Sequence, residues 1–198
     1  MDLGSAFAGA LAALLIRSGV KVIANYWSSA RAIAEYDCAE QGSKTDRAKM
    51  WHGHGRRVQD DLASNGVAWS HFWNASAEHE HTLFGPYTND LGMPGYVRVR
   101  FRVSGSGFDT SQEIVLLLDV VQAPFDLQPG RVILGQRVVR AAELNRRYRN
   151  FDVVCYTPGV GAHEYRAVVL SGAFNEDRHH LHFDWVRVYR HFPIWDVL

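Results

Sequence analysis

The sequence predicts a mainly β protein: an antiparallel jelly-roll β-sandwich preceded by an N-terminal helical extension. Three observations predict it. From about Gly66 onward, apolar residues recur with a period of two, the period of a strand with one buried face. The runs are short and separated by Gly, Pro, Ser and Asn turn signals, which gives about eight strands. No amphipathic helices alternate with them, so nothing supplies the crossovers of a parallel sheet.

Composition bounds the rest. The 198 residues are 47% apolar and 21% charged, enough for one domain with a sizeable core. Lysine plus arginine equals aspartate plus glutamate, 21 each, so no global field recommends nucleic acid as a partner. Cys38 and Cys155 lie far apart and outside any Cys-x-x-Cys spacing, which excludes a cysteine zinc site. "GSGFD" reads as a hairpin rather than a phosphate loop, and no cofactor is implied. There is no G-x-S-x-G nucleophile motif, and Cys155 sits in an apolar strand.

Residues 1–50 read as the helical extension. Leu3 to Ile16 is an apolar, small-residue-rich run of 14 residues. That is short of the ~20 that span a bilayer. Counted on to Trp27 it reaches membrane length but contains Arg17 and Lys21. Residues 3–27 therefore carry two readings: a membrane contact, as anchor or signal, or a helix that packs against copies in a homo-oligomer or larger assembly. The helical pattern continues to Gly42. Residues 51–65 read as linker, and 66–198 as the sandwich.

Within the sandwich, "GVAWSHFW" alternates Val67, Trp69, His71 and Trp73 against Ala68, Ser70 and Phe72. "GYVRVRFRV" puts Val97, Val99, Phe101 and Val103 on one face and Arg98, Arg100 and Arg102 on the other. "EIVLLLDVVQ" is apolar throughout, as a central strand would be. "RVILGQRVV", "FDVVCY" and "HEYRAVVL" follow, each closed by a turn. In the last strand, "HLHFDWVRVYR", Leu181 and Phe183 are out of phase with Val186 and Val188. A bulge near Asp184 would turn all four inward and give the carboxylate backbone N–H groups to accept.

Lined up, "LFGPYTNDLGMPGYVRVRFRV", "FDVVCYTPGVGAHEYRAVVLSG" and "LHFDWVRVYR" resemble the jelly-roll accessory domains of carbohydrate-active proteins, the carbohydrate-binding-module-like, galactose-binding-like sandwiches. The similarity covers roughly 66–190 and its motifs are mostly structural. It implies the fold and a non-catalytic carbohydrate (glycan)-binding or adhesion module, with a glycan or polysaccharide as partner.

Sugars stack on aromatic rings and hydrogen-bond to flanking polar groups. On that criterion the glycan-binding candidates are Trp69, His71 and Trp73 on one strand, and the outward Trp185, Arg187 and Tyr189 on the last. The bland reading for any one tryptophan is a core plug. For the arginine stripe it is a solvated face paired to acids on neighbouring strands. His180 and His182 share a face before the bulge, but no third metal ligand can be named, so they are weak metal candidates. Glu78, Glu80, Asp119, Glu164 and Asp184 supply carboxylates for glycoside hydrolysis, although no two are shown to converge. A structural assembly subunit is the alternative function, and a carbohydrate-active or metal-dependent enzyme a weaker one. The compartment stays open, with the cell envelope, surface or membrane the settings these readings favour.

Overall fold

The computed structural model describes residues 31–40, 49–72, 81–88, 91, 93–109, 111–123, 130–170, 175 and 177–191. The apolar segment 3–27, Trp73, Glu78 and Glu80 lie outside the described residues. Among the described residues no helix is long and apolar enough to cross a membrane, and the helical content is a single 3-10 turn, Ala141–Glu143.

The strands are β1 (Ala32–Asp37), β2 (Trp51–His52), β3 (Arg56–Gln59), β4 (Val67–Ser70), β5 (His81–Phe84), β6 (Gly95–Ser106), β7 (Ile114–Ala123), β8 (Val132–Arg140), β9 (Arg149–Thr157), β10 (Ala162–Val169) and β11 (His180–Arg190). They form two antiparallel sheets. One runs β3-β4-β11-β6-β9, with β1 also paired to β11; the other runs β2-β5-β10-β7-β8. The predicted sandwich is therefore observed, as is the central place of β7 between β10 and β8.

The alternation read from the sequence builds the core. Val97, Val99, Phe101 and Val103 of β6 are buried, as are Leu116, Leu118 and Val120 of β7. Tyr165 of β10 lies buried among them and meets Tyr36 of β1 with ring centroids 5.8 Å apart. The register of β11 against β6 slips between Phe183 and Trp185. That bulge turns Leu181, Phe183, Val186 and Val188 all into the core. The carboxylate at the bulge accepts the N–H of Ser64 at 3.1 Å and its hydroxyl at 2.8 Å, and contacts the Arg102 guanidinium. Asp184 thus pins the loop before β4 to the last strand.

The helical extension needs correction over Ala32–Asp37. This stretch is a strand, because β4 covers only His182 and Phe183 of β11 and leaves the edge from Trp185 to Tyr189 open. β1 fills that edge. Alanine and glutamate gave the segment a helical look, and partner hydrogen bonds outweigh so weak a local preference. The stretch 51–65 likewise holds two strands, β2 and β3, one in each sheet.

Two glycines fix close approaches. Gly107 turns the chain after β6 with φ +84, and a Cβ there would lie 1.8 Å from the Arg178 carbonyl oxygen. Gly135 lets β8 close against β9: a Cβ would lie 2.8 Å from the Cβ of Cys155. The two sheets meet along that flank.

Candidate functional site

Along β10, His163, Tyr165, Ala167 and Val169 point into the core, so Glu164 and Arg166 point out from the second sheet. On the neighbouring β7, Asp119 faces the same way, and Arg166 donates to its two oxygens from Nε and Nη2, at 2.7 and 2.5 Å. Both Asp119 and Glu164 are nearly inaccessible to solvent. The first is fully partnered and the second is not.

Glu164 is reached from two other segments. The Tyr87 hydroxyl, just past the cis Gly85–Pro86 bond, donates to Oε1 at 3.2 Å. The second oxygen, Oε2, is buried without a hydrogen-bond partner in the protein. The Arg131 guanidinium, which heads β8, stands 3.7 Å from it, too far for a hydrogen bond. Above the carboxylate opens a depression of about 340 Å³ lined by Gly53, His54, His81, Phe84, Tyr87 and Arg131. Its aromatic wall is braced from behind: Trp51 meets Phe84 at 6.0 Å and Tyr87 edge-on at 5.9 Å. Burial raises the Glu164 pKa, and the nearby Arg131 and Arg166 charges only partly offset it. Burial, together with the Glu164 charge, also raises the Tyr87 phenol.

The residues singled out from the sequence lie elsewhere. Trp69 and His71 face inward rather than forming an open stripe. Trp69 packs in the core with His52 stacked on it at 3.7 Å, and burial, helped by the His54 charge, pushes His71 down to about 4. The β11 residues do face outward but are covered. Trp185 and Tyr189 are each 7% exposed. Arg187 lies 4.0 Å over the Trp185 ring, and Arg98 and Arg100 lie 4.7 and 5.6 Å from the centre of Tyr189. Arg187 is paired to Glu35 at 2.9 Å, and Arg100 is held by both oxygens of Asp152. The paired, solvated-face reading of the arginine stripe describes this surface. Asp184 is committed to Ser64 and Arg102.

His180 and His182 line a hollow at the far end of the first sheet, together with Asp60, Ser104 and Arg146. His182 Nδ1 lies 2.7 Å from Asp60 Oδ2, which also accepts the Tyr148 hydroxyl at 2.8 Å. Among the described residues, no group of three or more His, Cys, Asp and Glu side chains comes together to hold a metal ion.

Of the site residues, the sequence reading named Glu164 only among five carboxylates and missed Phe84, Tyr87 and Arg131. The available signal was the "LFGPY" run, which sets two aromatic residues either side of Gly-Pro. Their convergence on Glu164 is tertiary.

No protein-family model matches the chain, and no curated protein matches its sequence. Its fold does match solved structures. The CBM22-1 xylan-binding domain of Paenibacillus barcinonensis Xyn10C superposes with a TM-score of 0.51 at 7% identity, over 81% of this chain and 94% of that one. The carbohydrate-binding module CBM6cm-2 of Cellvibrio mixtus lichenase 5A, solved with cellotriose, gives 0.49 at 11% identity over 82% and 100%. A family 35 carbohydrate-binding module from Clostridium thermocellum gives 0.47 at 15% identity over 79% and 98%. The chain has the jelly-roll β-sandwich fold of carbohydrate-binding modules.

Proposed function

We propose that the protein is a non-catalytic glycan-binding module that takes a neutral sugar unit in the depression over Glu164. The observation that carries this reading is the Oε2 atom, a buried carboxylate oxygen short of a donor beneath an aromatic wall. An unmade hydrogen bond of this kind costs roughly 1–3 kcal/mol. A sugar hydroxyl donating to Oε2 removes that cost. The apolar face of a pyranose ring suits Phe84 and Tyr87, while Arg131 at the rim offers a donor to ring or hydroxyl oxygens. The depression lies at the small end of the ~300–1,000 Å³ that ligand pockets span, which suits a short stretch of glycan.

Binding is favoured over hydrolysis because the neighbouring carboxylate, Asp119, is locked to Arg166. Hydrolysis by the usual route uses two carboxyl groups across the scissile bond. Residues 3–27 supply the tether in this reading. The test is affinity electrophoresis of the full chain through gels containing a panel of neutral polysaccharides. The expected result is retardation by at least one, weakened tenfold or more by Glu164→Gln. Unchanged mobility of the wild type in every gel would sink the reading.

A further inference from the structure

Two groups of opposite charge meet at the depression without a hydrogen bond between them. Glu164 sits on β10 with its side chain 2% exposed, and the Tyr87 hydroxyl holds its Oε1. Its Oε2 is therefore a fixed acceptor. Arg131 stands just ahead of β8, and its side chain is 49% exposed. In the second sheet β7 lies between β10 and β8. A span of roughly 10 Å, two strand spacings, thus separates the two backbones. Only a long side chain brings a cation across it, and this one also stands near the Tyr87 phenol. The donor can adjust while the acceptor cannot.

The Arg131 guanidinium is 3.7 Å from Oε2. Charge-assisted hydrogen bonds run about 2.7–2.9 Å, so a pair this far apart leaves room for one oxygen bonded to both. That oxygen must give a hydrogen to the carboxylate and take one from the guanidinium. A hydroxyl does both. A ring, glycosidic or methyl-ether oxygen only accepts, and leaves Oε2 without its donor. An acetamido N–H only donates. Charge narrows the choice again. Arg131 offsets Glu164, and Arg166 offsets Asp119 beside it. A uronate carboxylate would be desolvated against Glu164, and the ammonium of an amino sugar against Arg131.

We propose, on the glycan-binding reading of this site, that Arg131 is its specificity-determining residue. Arg131 and Glu164 read one free hydroxyl of the sugar from both sides: Oε2 accepts its hydrogen while the guanidinium donates to its oxygen. The class of ligand follows. It is a glycan whose contacted unit is uncharged and carries that hydroxyl unmethylated and unesterified. The wall of Phe84 and Tyr87 holds the ring by its apolar face. Selection falls to the polar pair, because a site built to hydrogen-bond a hydroxyl rejects an analogue lacking it far more strongly than an apolar wall can.

The test is NMR titration of the full chain with the methyl glycosides of glucose, galactose, mannose and xylose and with their monodeoxy derivatives. The wild type should bind at least one parent glycoside, and removal of one particular hydroxyl should weaken binding tenfold or more. Arg131→Met and Glu164→Gln should each bind the parent more weakly, and for each of them loss of that same hydroxyl should cost less than threefold. The spectra report the fold of each variant at the same time. If no parent glycoside binds and no polysaccharide gel retards the chain, the glycan-binding reading itself fails. Three other outcomes overturn this inference alone. They are retention by a polysaccharide with no glycoside bound, two variants blind to different hydroxyls, and an Arg131→Met chain that discriminates as the wild type does.

Discussion

The outer faces of the two sheets carry the same kinds of residue and use them oppositely. On the first sheet, Trp185 and Tyr189 are covered by arginines, and Arg100, Arg102 and Arg187 are each tied to a carboxylate. Those three arginines find their carboxylates within the face, and Arg98 lies over the Tyr189 ring. On the second sheet, Asp119 and Arg166 satisfy each other, but Glu164 keeps one oxygen without a donor. An aromatic and an arginine side by side therefore do not mark a site. The proposed site differs in having a carboxylate oxygen left without a hydrogen-bond donor beneath a depression.

The largest effect expected from breaking this contrast is on the closed face. Asp184→Ala leaves Arg102 without its carboxylate and frees the loop at Ser64. It should cost about 3–5 kcal/mol, the scale for removing one partner of a buried pair. The melting temperature of this variant should fall by several degrees or more, with glycan affinity of the folded fraction unchanged.

Acid comes next. His71 is held at about 4 by burial in the fold, against 6.5 for an ordinary histidine. Its folded value is depressed, so the unfolded chain takes up the proton first and stability is lost as the pH falls from 6.5 towards 4. The loss is roughly 3 kcal/mol. Burial lowers His52 and His163 in the same direction. Urea midpoints across that range should decline, and His71→Gln should flatten the decline.

On the open face the effect moves from stability to binding. Glu164→Gln should weaken glycan binding ten- to a hundredfold by titration calorimetry and leave the melting temperature unchanged or raised. The raised pKa of Glu164 means its protonated form favours the fold, so its own contribution to stability fades as the pH rises. Binding follows the other sign: it needs the ionised oxygen and should weaken as acid enters a range above that of ordinary glutamates. The smallest change belongs to the covered stripe. Arg187→Ala breaks an exposed pair worth under about 1 kcal/mol and should leave binding within twofold. A tenfold loss there would move the site to β11.

How far the sequence reached follows the same division. Strands with an apolar face were legible, down to the Asp184 bulge, because burial writes a period of two into each of them. β1, β2 and β3 were not, since "AIAEYD", "WH" and "RRVQ" are short edge pieces held by their partners' hydrogen bonds. Trp69 misled because alternation says which residues share a face but not which face is inside. Glu164 was visible as a carboxylate in a strand. Its missing donor depends on where Tyr87 and Arg131 stop, and no local pattern encodes that.

The pairing of β1 with β11 also governs how the molecule bears tension. Ala32 sits beside Tyr189, so the first and last described strands of the sandwich meet at one corner. A load carried through the two ends pulls that antiparallel pair apart from its open mouth. Its bonds then part in succession from Ala32 to Asp37 rather than sharing the strain in parallel. A module hung between two attachments in this way would yield strand by strand at low force, and single-molecule pulling would record β1 leaving before the sheets separate.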